Sequence, residues 1–280
     1  MLGIALMVLA VCLFTIQDTI AKYLSERYPP LLVVWARYFF NVAIMLVLLG
    51  PVLRRRLVTT RRPLVQLARG AVLSASSMCF FSALPWMKLA DASAVTFLGP
   101  MLVTVFAVFV LKHRAPPGSW IALVVSFAGV LLVIKPGGDT FSPVALLPLL
   151  TALCFAAYQL LTSRLSGVDE PVATLFLGAF TAMLVVTLTL PWTWRAPASA
   201  FDLGLFAATG AIGAVSHYVI IRAFALAPPA TLAPFTYAQI VMAVMLGWVV
   251  FGDLPDLLSF TGMGMIATTG VVMALRQRRR

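Results

Sequence analysis

Charged residues are scarce in this chain of 280 residues. Only 10% of its positions carry Asp, Glu, Lys or Arg, and 62% are hydrophobic, whereas soluble domains carry about 25% charged residues. The mean hydropathy is +1.03. Apolar runs of ~18 or more residues indicate membrane-spanning helices. The composition therefore excludes a soluble globular domain and predicts an all-α integral membrane protein.

The residues that support most enzyme and metal chemistry are also few. There are 9 acidic residues, 2 histidines and 3 cysteines. Cys12, Cys79 and Cys154 lie inside apolar runs, with neither a disulfide framework nor a metal-ligand spacing. No His-Glu-x-x-His motif or paired-aspartate cluster occurs. We therefore expect no enzyme, no metal and no cofactor, with an intramembrane enzyme or a channel subunit as the lesser alternative.

The net charge of +11 could indicate nucleic-acid binding, but its distribution argues otherwise. The arginines lie between and after apolar runs, as cytoplasmic anchors of membrane proteins do. We expect the lipid bilayer and a small organic solute as partners, with no nucleic acid and with a homodimer left open.

Proline and glycine residues, single or grouped, divide the chain into ten predicted spans. They cover residues 2–24, 31–50, 68–87, 92–111, 118–135, 143–164, 171–190, 203–225, 230–251 and 257–275. If the N-terminus is cytoplasmic, thirteen Lys and Arg fall on the cytoplasmic side, including Arg69, Arg114, Arg279 and Arg280, and five on the other. The positive-inside rule then favours both termini in the cytoplasm.

The two halves of the chain resemble each other. At an offset of 142 residues, Cys12 matches Cys154, Gln17 matches Gln159 and Pro29 matches Pro171. We infer repeats at residues 1–138 and 139–280. Five spans per repeat is an odd number, so the second copy must be inverted in the membrane. Inverted repeats around a central substrate site are typical of secondary transporters.

Several motifs, in this order, resemble the EamA family of the drug/metabolite transporter superfamily over nearly the whole length. They are Val33-Val-Trp-Ala-Arg37-Tyr38, Leu89-Ala-x-Ala-Ser93 followed by Pro100, Ala233-Pro-Phe-Thr-Tyr237, and Phe251-Gly-Asp253. A Gly-Glu pair that the family usually has after span four is replaced by Lys112-His113-Arg114. The resemblance implies ten helices around a central cavity in the bacterial inner membrane, moving small organic solutes by alternating access. The segment from Phe14 to Arg37 is similar to members that take up riboflavin or S-adenosylmethionine.

Asp18 is the only acid deep within a predicted span. Such a group costs about 2.5–3.5 kcal/mol on insertion scales and usually has a partner. Pairing with Arg37 or with Lys22, one helical turn away, is open. The pair would either lock two helices together or contact substrate or a coupled proton.

Other polar and aromatic side chains at depth are candidates for lining the cavity. The full candidate set is Gln17, Asp18, Ser77, Phe81, Thr96, Tyr158, Gln159, His217, Tyr237 and Gln239. Pro100 and Pro234 are expected to kink their helices, because proline removes a helical hydrogen bond. A lone histidine such as His217, among Gly210, Gly213 and Ala214, is more often a hydrogen-bonded packing residue than a substrate ligand. Aromatic rings and amides favour uptake of a flat, largely neutral heterocycle such as riboflavin; the alternatives are export of amino acids, amines or drugs, and S-adenosylmethionine uptake.

Overall fold

The computed structural model describes residues 1–109, 112, 118–136, 142–165, 167–227 and 229–278. The predicted boundary between the repeats at residues 138 and 139 lies outside these ranges, as do His113, Arg114, Arg279 and Arg280. Every regular element of the described part is helical, so the all-α prediction is confirmed there.

Thirteen α-helices follow one another in the described ranges. They are α1 Leu2–Ser25, α2 Pro30–Leu53, α3 Pro63–Ala83, α4 Leu89–Thr96, α5 Gly99–Phe109, α6 Ser119–Ile134, α7 Leu146–Ser163, α8 Pro171–Thr187, α9 Leu190–Thr193, α10 Ala200–Leu226, α11 Pro229–Thr236, α12 Ala238–Phe251 and α13 Leu257–Arg278. Single 3-10 turns cover Arg54–Leu57, Leu84–Trp86 and Pro143–Ala145.

Seven helical segments of the described chain are long and apolar enough to cross a membrane, and three others are shorter apolar helices. The shorter ones are Leu89–Val103, Ser119–Ile134 and Pro171–Thr187. Large apolar side chains such as Val47, Val124 and Val249 stand exposed on the outside of the bundle. An exposed apolar surface of this kind suits lipid contact rather than water.

Two of the predicted spans are interrupted helices. Helix α4 ends at Thr96, and α5 begins at Gly99 with Pro100 as its second residue. In the second half, α11 contains Pro234 and ends at Thr236, and α12 begins at Ala238. The hydroxyls of Thr96 and Thr236 each donate to a carbonyl three residues earlier. The aromatic residues that follow, Phe97 and Tyr237, place their ring centroids 5.0 Å apart. The two interruptions therefore meet inside the protein.

Helices of the two halves interlock rather than forming separate domains. Helix α1 packs mainly on α10, and α3 packs mainly on α7. Helices α6 and α13 cross closely, since a Cβ on Gly262 would lie 2.4 Å from the carbonyl oxygen of Gly129. Ser126 and Thr269 share a hydrogen bond of 2.6 Å across the same crossing.

One end of the bundle, which we call the Lys22 end, is tied together by polar contacts between loops. Lys22 bonds to Asp253, Lys88 to the carbonyl of Leu254, and Lys135 to Asp256. Tyr28 donates to Asp202 and accepts from the amide of Ala198, and Arg195 donates to the carbonyl of Arg27. The loops before α2, α4, α7, α10 and α13 thus lie at one end.

The opposite end, which we call the Asp169 end, holds the arginine-rich loop between α2 and α3. The carboxylate of Asp169 accepts hydrogen bonds from the Arg61 amide, the Thr60 hydroxyl and the Gln66 side chain. Burial alone would raise the pKa of Asp169, but these bonds together lower it below its ordinary value. The loop between α7 and α8 therefore holds the loop between α2 and α3.

Candidate functional site

Asp18 of α1 and Arg37 of α2 lie within electrostatic range of each other in the interior of the bundle. They form no ion pair, since the described residues contain none with nitrogen and oxygen within 4.0 Å other than those of Lys22 and Lys135. Asp18 retains 9% of its surface, and Arg37 is half-buried. The structure therefore places a carboxylate and a guanidinium in the same region of the interior without a direct contact between them.

Lys22 forms an ion pair with a residue that the sequence did not indicate. Its ammonium bonds to Asp253, at 2.6 Å, and to the carbonyl of Met87, at 3.0 Å. It does not form the pair with Asp18 that the sequence left open. Lys22 is buried near the C-terminal end of α1. Its contacts are therefore among those that connect the loops at the Lys22 end.

Two aromatic rings lie near the guanidinium of Arg37. Its central carbon lies 5.5 Å from the ring centroid of Tyr38 and 5.4 Å from that of Phe81. Within the described chain, the guanidinium makes no hydrogen bond. A cation over an aromatic face is attracted by the ring's quadrupole, and the attraction grows when water is removed. The two rings hold the guanidinium in place while leaving its five N–H donors available.

His217 of α10 approaches the same region. Its ring meets Phe14 of α1 edge to face, with centroids 5.0 Å apart and an interplanar angle of 75°. His217 is half-buried and lies within electrostatic range of Arg37 and Arg69. The α1–α10 contact therefore contributes an aromatic and an imidazole ring beside the charged pair.

Tyr38 links α2 to α3. Its hydroxyl shares a 2.6 Å hydrogen bond with Ser77, so the candidate Ser77 is already partnered. Both side chains are buried, at 4% and 7% exposure.

Arg69 was expected among the cytoplasmic loop cations, but it lies buried within α3. It donates to the hydroxyl of Thr162, to the carbonyl of Thr174 and to the hydroxyl of Tyr158, at 2.8, 2.8 and 2.6 Å. It thereby joins α3, α7 and α8. Gly178 leaves room for it, since a Cβ there would lie 2.5 Å from the Arg69 guanidinium. The sequence analysis did not predict that Arg69 is buried. The signal for it was Gly178, a glycine within an apolar helix that leaves room for the guanidinium.

The matched glutamines do not occupy matching surroundings. Gln17 is fully buried, and a Cβ on Gly213 would lie 3.1 Å from its amide nitrogen. Neither of its amide atoms has a hydrogen-bond partner among the described residues. Gln159, by contrast, is exposed. The symmetric pair of hydrogen-bonding amides that the repeat predicted is therefore not formed.

The remaining candidates divide into two groups. Phe81 and Tyr158 are buried near Arg37 and Arg69, with the Tyr158 ring centroid 4.5 Å from the Arg69 guanidinium carbon. Thr96 and Tyr237 lie at the two helix interruptions, where a Cβ on Gly270 would overlap the Tyr237 hydroxyl. Gln239 is half-buried just after the second interruption.

Polar and charged side chains lie together where five helices converge, namely α1, α2, α3, α7 and α10. It offers one carboxylate, one guanidinium with free donors, an imidazole and several aromatic faces. Among the described residues, no group of three or more His, Cys, Asp or Glu could hold a metal ion. Such a site is equipped to bind an organic molecule by charge and by stacking.

Comparison with known proteins agrees with this description. The EamA-like transporter family matches residues 1–135. Over 280 residues the chain is 25% identical to an S-adenosylmethionine uptake transporter of Rickettsia conorii, covering 99% of this chain and 94% of that protein. It is 26% identical to a riboflavin transporter of Rhizobium johnstonii, covering 99% and 92%.

A pseudopaline exporter of Pseudomonas aeruginosa is 28% identical, over 97% of this chain and 95% of its own. A solved crystal structure superposes with a TM-score of 0.67 at 20% identity, covering 99% of this chain and 98% of that chain, which shows a shared fold. The resemblance predicted from the motifs is thus confirmed, and the matched proteins are transporters rather than enzymes. The chain therefore resembles membrane transporters, with the EamA-like transporter family matching its residues 1–135.

Proposed function

We propose that the protein is a secondary carrier that moves a small organic metabolite across the bacterial inner membrane by alternating access. In this proposal ten helices cross the membrane as two inverted five-helix repeats, residues 1–138 and 139–280. The observation that carries it is the polar site itself: α1, α2 and α3 of the first half and α7 and α10 of the second converge on it.

The alternation of the loops supports ten crossings. The loops before α2, α4, α7, α10 and α13 meet at the Lys22 end. The loops before α3 and α8 meet at the Asp169 end. Gly118 approaches Arg276 of the C-terminal helix, and Gly3 of α1 approaches Ala227. With this alternation, both chain ends would lie opposite the Lys22 end.

The distribution of arginine supports an orientation with both termini in the cytoplasm. Arg54, Arg55, Arg56, Arg61 and Arg62 all belong to the loop at the Asp169 end. Short loops rich in Lys and Arg remain on the cytoplasmic side. The Lys22 end would then face the periplasm.

The substrate we propose is a flat heterocycle, taken up as riboflavin or S-adenosylmethionine is by the named relatives. Phe14, Tyr38, Phe81 and Tyr158 supply ring faces close to the polar groups. Stacking on such faces provides affinity, and a few placed polar groups fix orientation. The candidate set named above, including Gln17, Ser77 and His217, remains part of this proposal.

Export of amino acids, amines or drugs is the second candidate. The similarity to the pseudopaline exporter, at 28% identity over nearly the whole chain, favours it. An alternating-access carrier can run in either direction, because the gradient of solute and coupling ion sets the net flux.

Purified protein in proteoliposomes tests the proposal. Vesicles preloaded with unlabelled riboflavin or S-adenosylmethionine should accumulate the same labelled solute by saturable counter-transport. Protein-free vesicles and vesicles without internal solute are the controls. Ionic current without counter-transport would indicate a channel, and absence of exchange for every solute class named above would contradict the proposal.

A further inference from the structure

We propose that Asp18 and Arg37 form a clamp for a zwitterionic amino-acid group on the transported molecule. Arg37 would bind the carboxylate of that group, and Asp18 would bind its ammonium. This inference rests on the proposed function and narrows it to heterocycles that carry an amino-acid end.

The first argument is that both charges are left without direct partners. No donor among the described residues bonds to the Asp18 carboxylate, and no acceptor among them bonds to the Arg37 guanidinium. Buried charges are costly unless paired and hydrogen-bonded. A pair whose only role was to lock α1 to α2 would be expected to make direct contact, because arginine and carboxylate form bidentate bonds.

Other interior cations of this protein show what a structural role looks like. The Arg69 guanidinium donates three hydrogen bonds from α3 to α7 and α8. Lys22 has a carboxylate and a carbonyl within 3.0 Å. Arg37 differs from both, since within the described chain its guanidinium lies against aromatic faces and forms no hydrogen bond. Its donors are therefore available to a ligand.

The second argument is the charge balance of the site. An ionised Asp18 and an Arg37 guanidinium together carry no net charge. A phosphate would meet the repulsion of Asp18, and a simple amine would meet the repulsion of Arg37. A group with one carboxylate and one ammonium can satisfy both residues at once. The planar arginine fork suits a carboxylate in particular.

The third argument is the surroundings of the clamp. The ring centroids of Tyr38 and Phe81 lie 5.5 and 5.4 Å from the central carbon of the Arg37 guanidinium. The edge-to-face pair of Phe14 and His217 joins α10 to α1, and Phe14 lies one helical turn before Asp18 on α1. A ligand with its amino-acid end between Asp18 and Arg37 therefore has aromatic faces next to it for a flat ring.

Three adenosyl compounds with the same ring and differing ends test the clamp by binding to purified protein in detergent. S-adenosylhomocysteine carries the full amino-acid end, its decarboxylated analogue keeps only the ammonium, and 5′-methylthioadenosine has neither. The wild-type protein should prefer the first to the second, and the second to the third. Each step should be about tenfold, as expected for a charged hydrogen bond.

Two substitutions that each remove one charge test the two halves of the clamp separately. Arg37→Gln should remove the preference for S-adenosylhomocysteine over the decarboxylated analogue and leave the affinity for 5′-methylthioadenosine unchanged. Asp18→Asn should remove the preference of the decarboxylated analogue over 5′-methylthioadenosine. Arg222→Gln is the control, because Arg222 is also a helical arginine beside a tyrosine ring, but it is exposed and bonded to Tyr218. It should leave all three affinities unchanged.

Equal wild-type affinities for the three compounds would overturn the clamp, as would substitutions that weaken all three ligands by the same factor. If the adenosyl compounds do not bind but riboflavin shows counter-transport, the clamp fails while the proposed function stands. If no solute is exchanged at all, the proposed function fails first.

Discussion

The ammonium of Lys22 lies 2.6 Å from the carboxylate of Asp253, a residue 231 positions later in the chain. The same ammonium donates to the carbonyl of Met87 and lies 4.6 Å from the ring centroid of Phe251. One side chain therefore joins α1 to the turn before α4 and to the turn after α12. In an alternating-access cycle, this contact must separate whenever the Lys22 end opens.

Removing either partner of the Lys22–Asp253 pair should destabilise the protein. Lys22 is 5% exposed at its side chain and Asp253 32%, so the pair is only partly screened by solvent. We expect a coupling free energy of about 0.5–3 kcal/mol between Lys22→Met and Asp253→Asn. Thermal unfolding of the two single variants and the double variant measures it. Strictly additive effects would show that the two side chains do not interact.

The packing of Arg69 against Gly178 predicts an unusually large effect for a small change. In Gly178→Ala, the new methyl would lie 2.5 Å from the guanidinium of Arg69. Because three hydrogen bonds hold that guanidinium, it cannot move aside without losing at least one, at a cost of about 1–3 kcal/mol. The thermal midpoint of Gly178→Ala should fall clearly below that of the wild type.

Gly204→Ala is the control for that experiment. Gly204 also lies within a helix, but no described atom outside its own helical turn stands within 4 Å of the place that a Cβ would take. Alanine is favoured over glycine by about 1 kcal/mol within a helix, so this variant should be as stable as the wild type or more so. Equal destabilisation of both variants would contradict the packing described for Arg69.

Acid should weaken the Lys22 end through Asp256, which lies outside the membrane-spanning helices. The hydrogen bond from Lys135 and the amide of Ser259 at the start of α13 lower the pKa of Asp256 from 3.8 to about 2. A lowered folded-state pKa means stability that is present above pH 3.8 and lost as the pH falls towards 2. Asp256→Asn should be less stable at neutral pH and lose less on acidification. Identical pH profiles of thermal stability would contradict this role.

Local signals in the sequence were enough to find most helices. The predicted span 31–50 corresponds to α2, Pro30–Leu53, because Pro29-Pro30 marks the start of an uninterrupted apolar run. The span at 92–111 corresponds to α4 and α5, whose interruption lies just before Pro100. Proline and glycine act on neighbouring backbone, so their effects can be read without tertiary structure.

The partners of the polar side chains could not be found in the same way. Asp18 is one turn from Lys22 along α1, but Lys22 turns to Asp253 across the molecule. Gln17 and Gln159 match in sequence, yet one is buried against Gly213 and the other is exposed. Which neighbour a side chain meets depends on how helices far apart in sequence are packed, and a single sequence does not contain that information.

Alternating access requires that the Lys22 end and the Asp169 end open in turn around a solute site between the halves. A double variant, Lys22→Cys with Asp253→Cys, tests this alternate opening directly. It is made in a protein whose Cys12, Cys79 and Cys154 are replaced by serine. A short bifunctional methanethiosulfonate would bridge the new cysteines and hold the Lys22 end closed, and a monofunctional reagent serves as the control. We expect bridging to stop counter-transport in proteoliposomes and a reducing agent to restore it. Unchanged exchange by the bridged protein would contradict alternating access through this end.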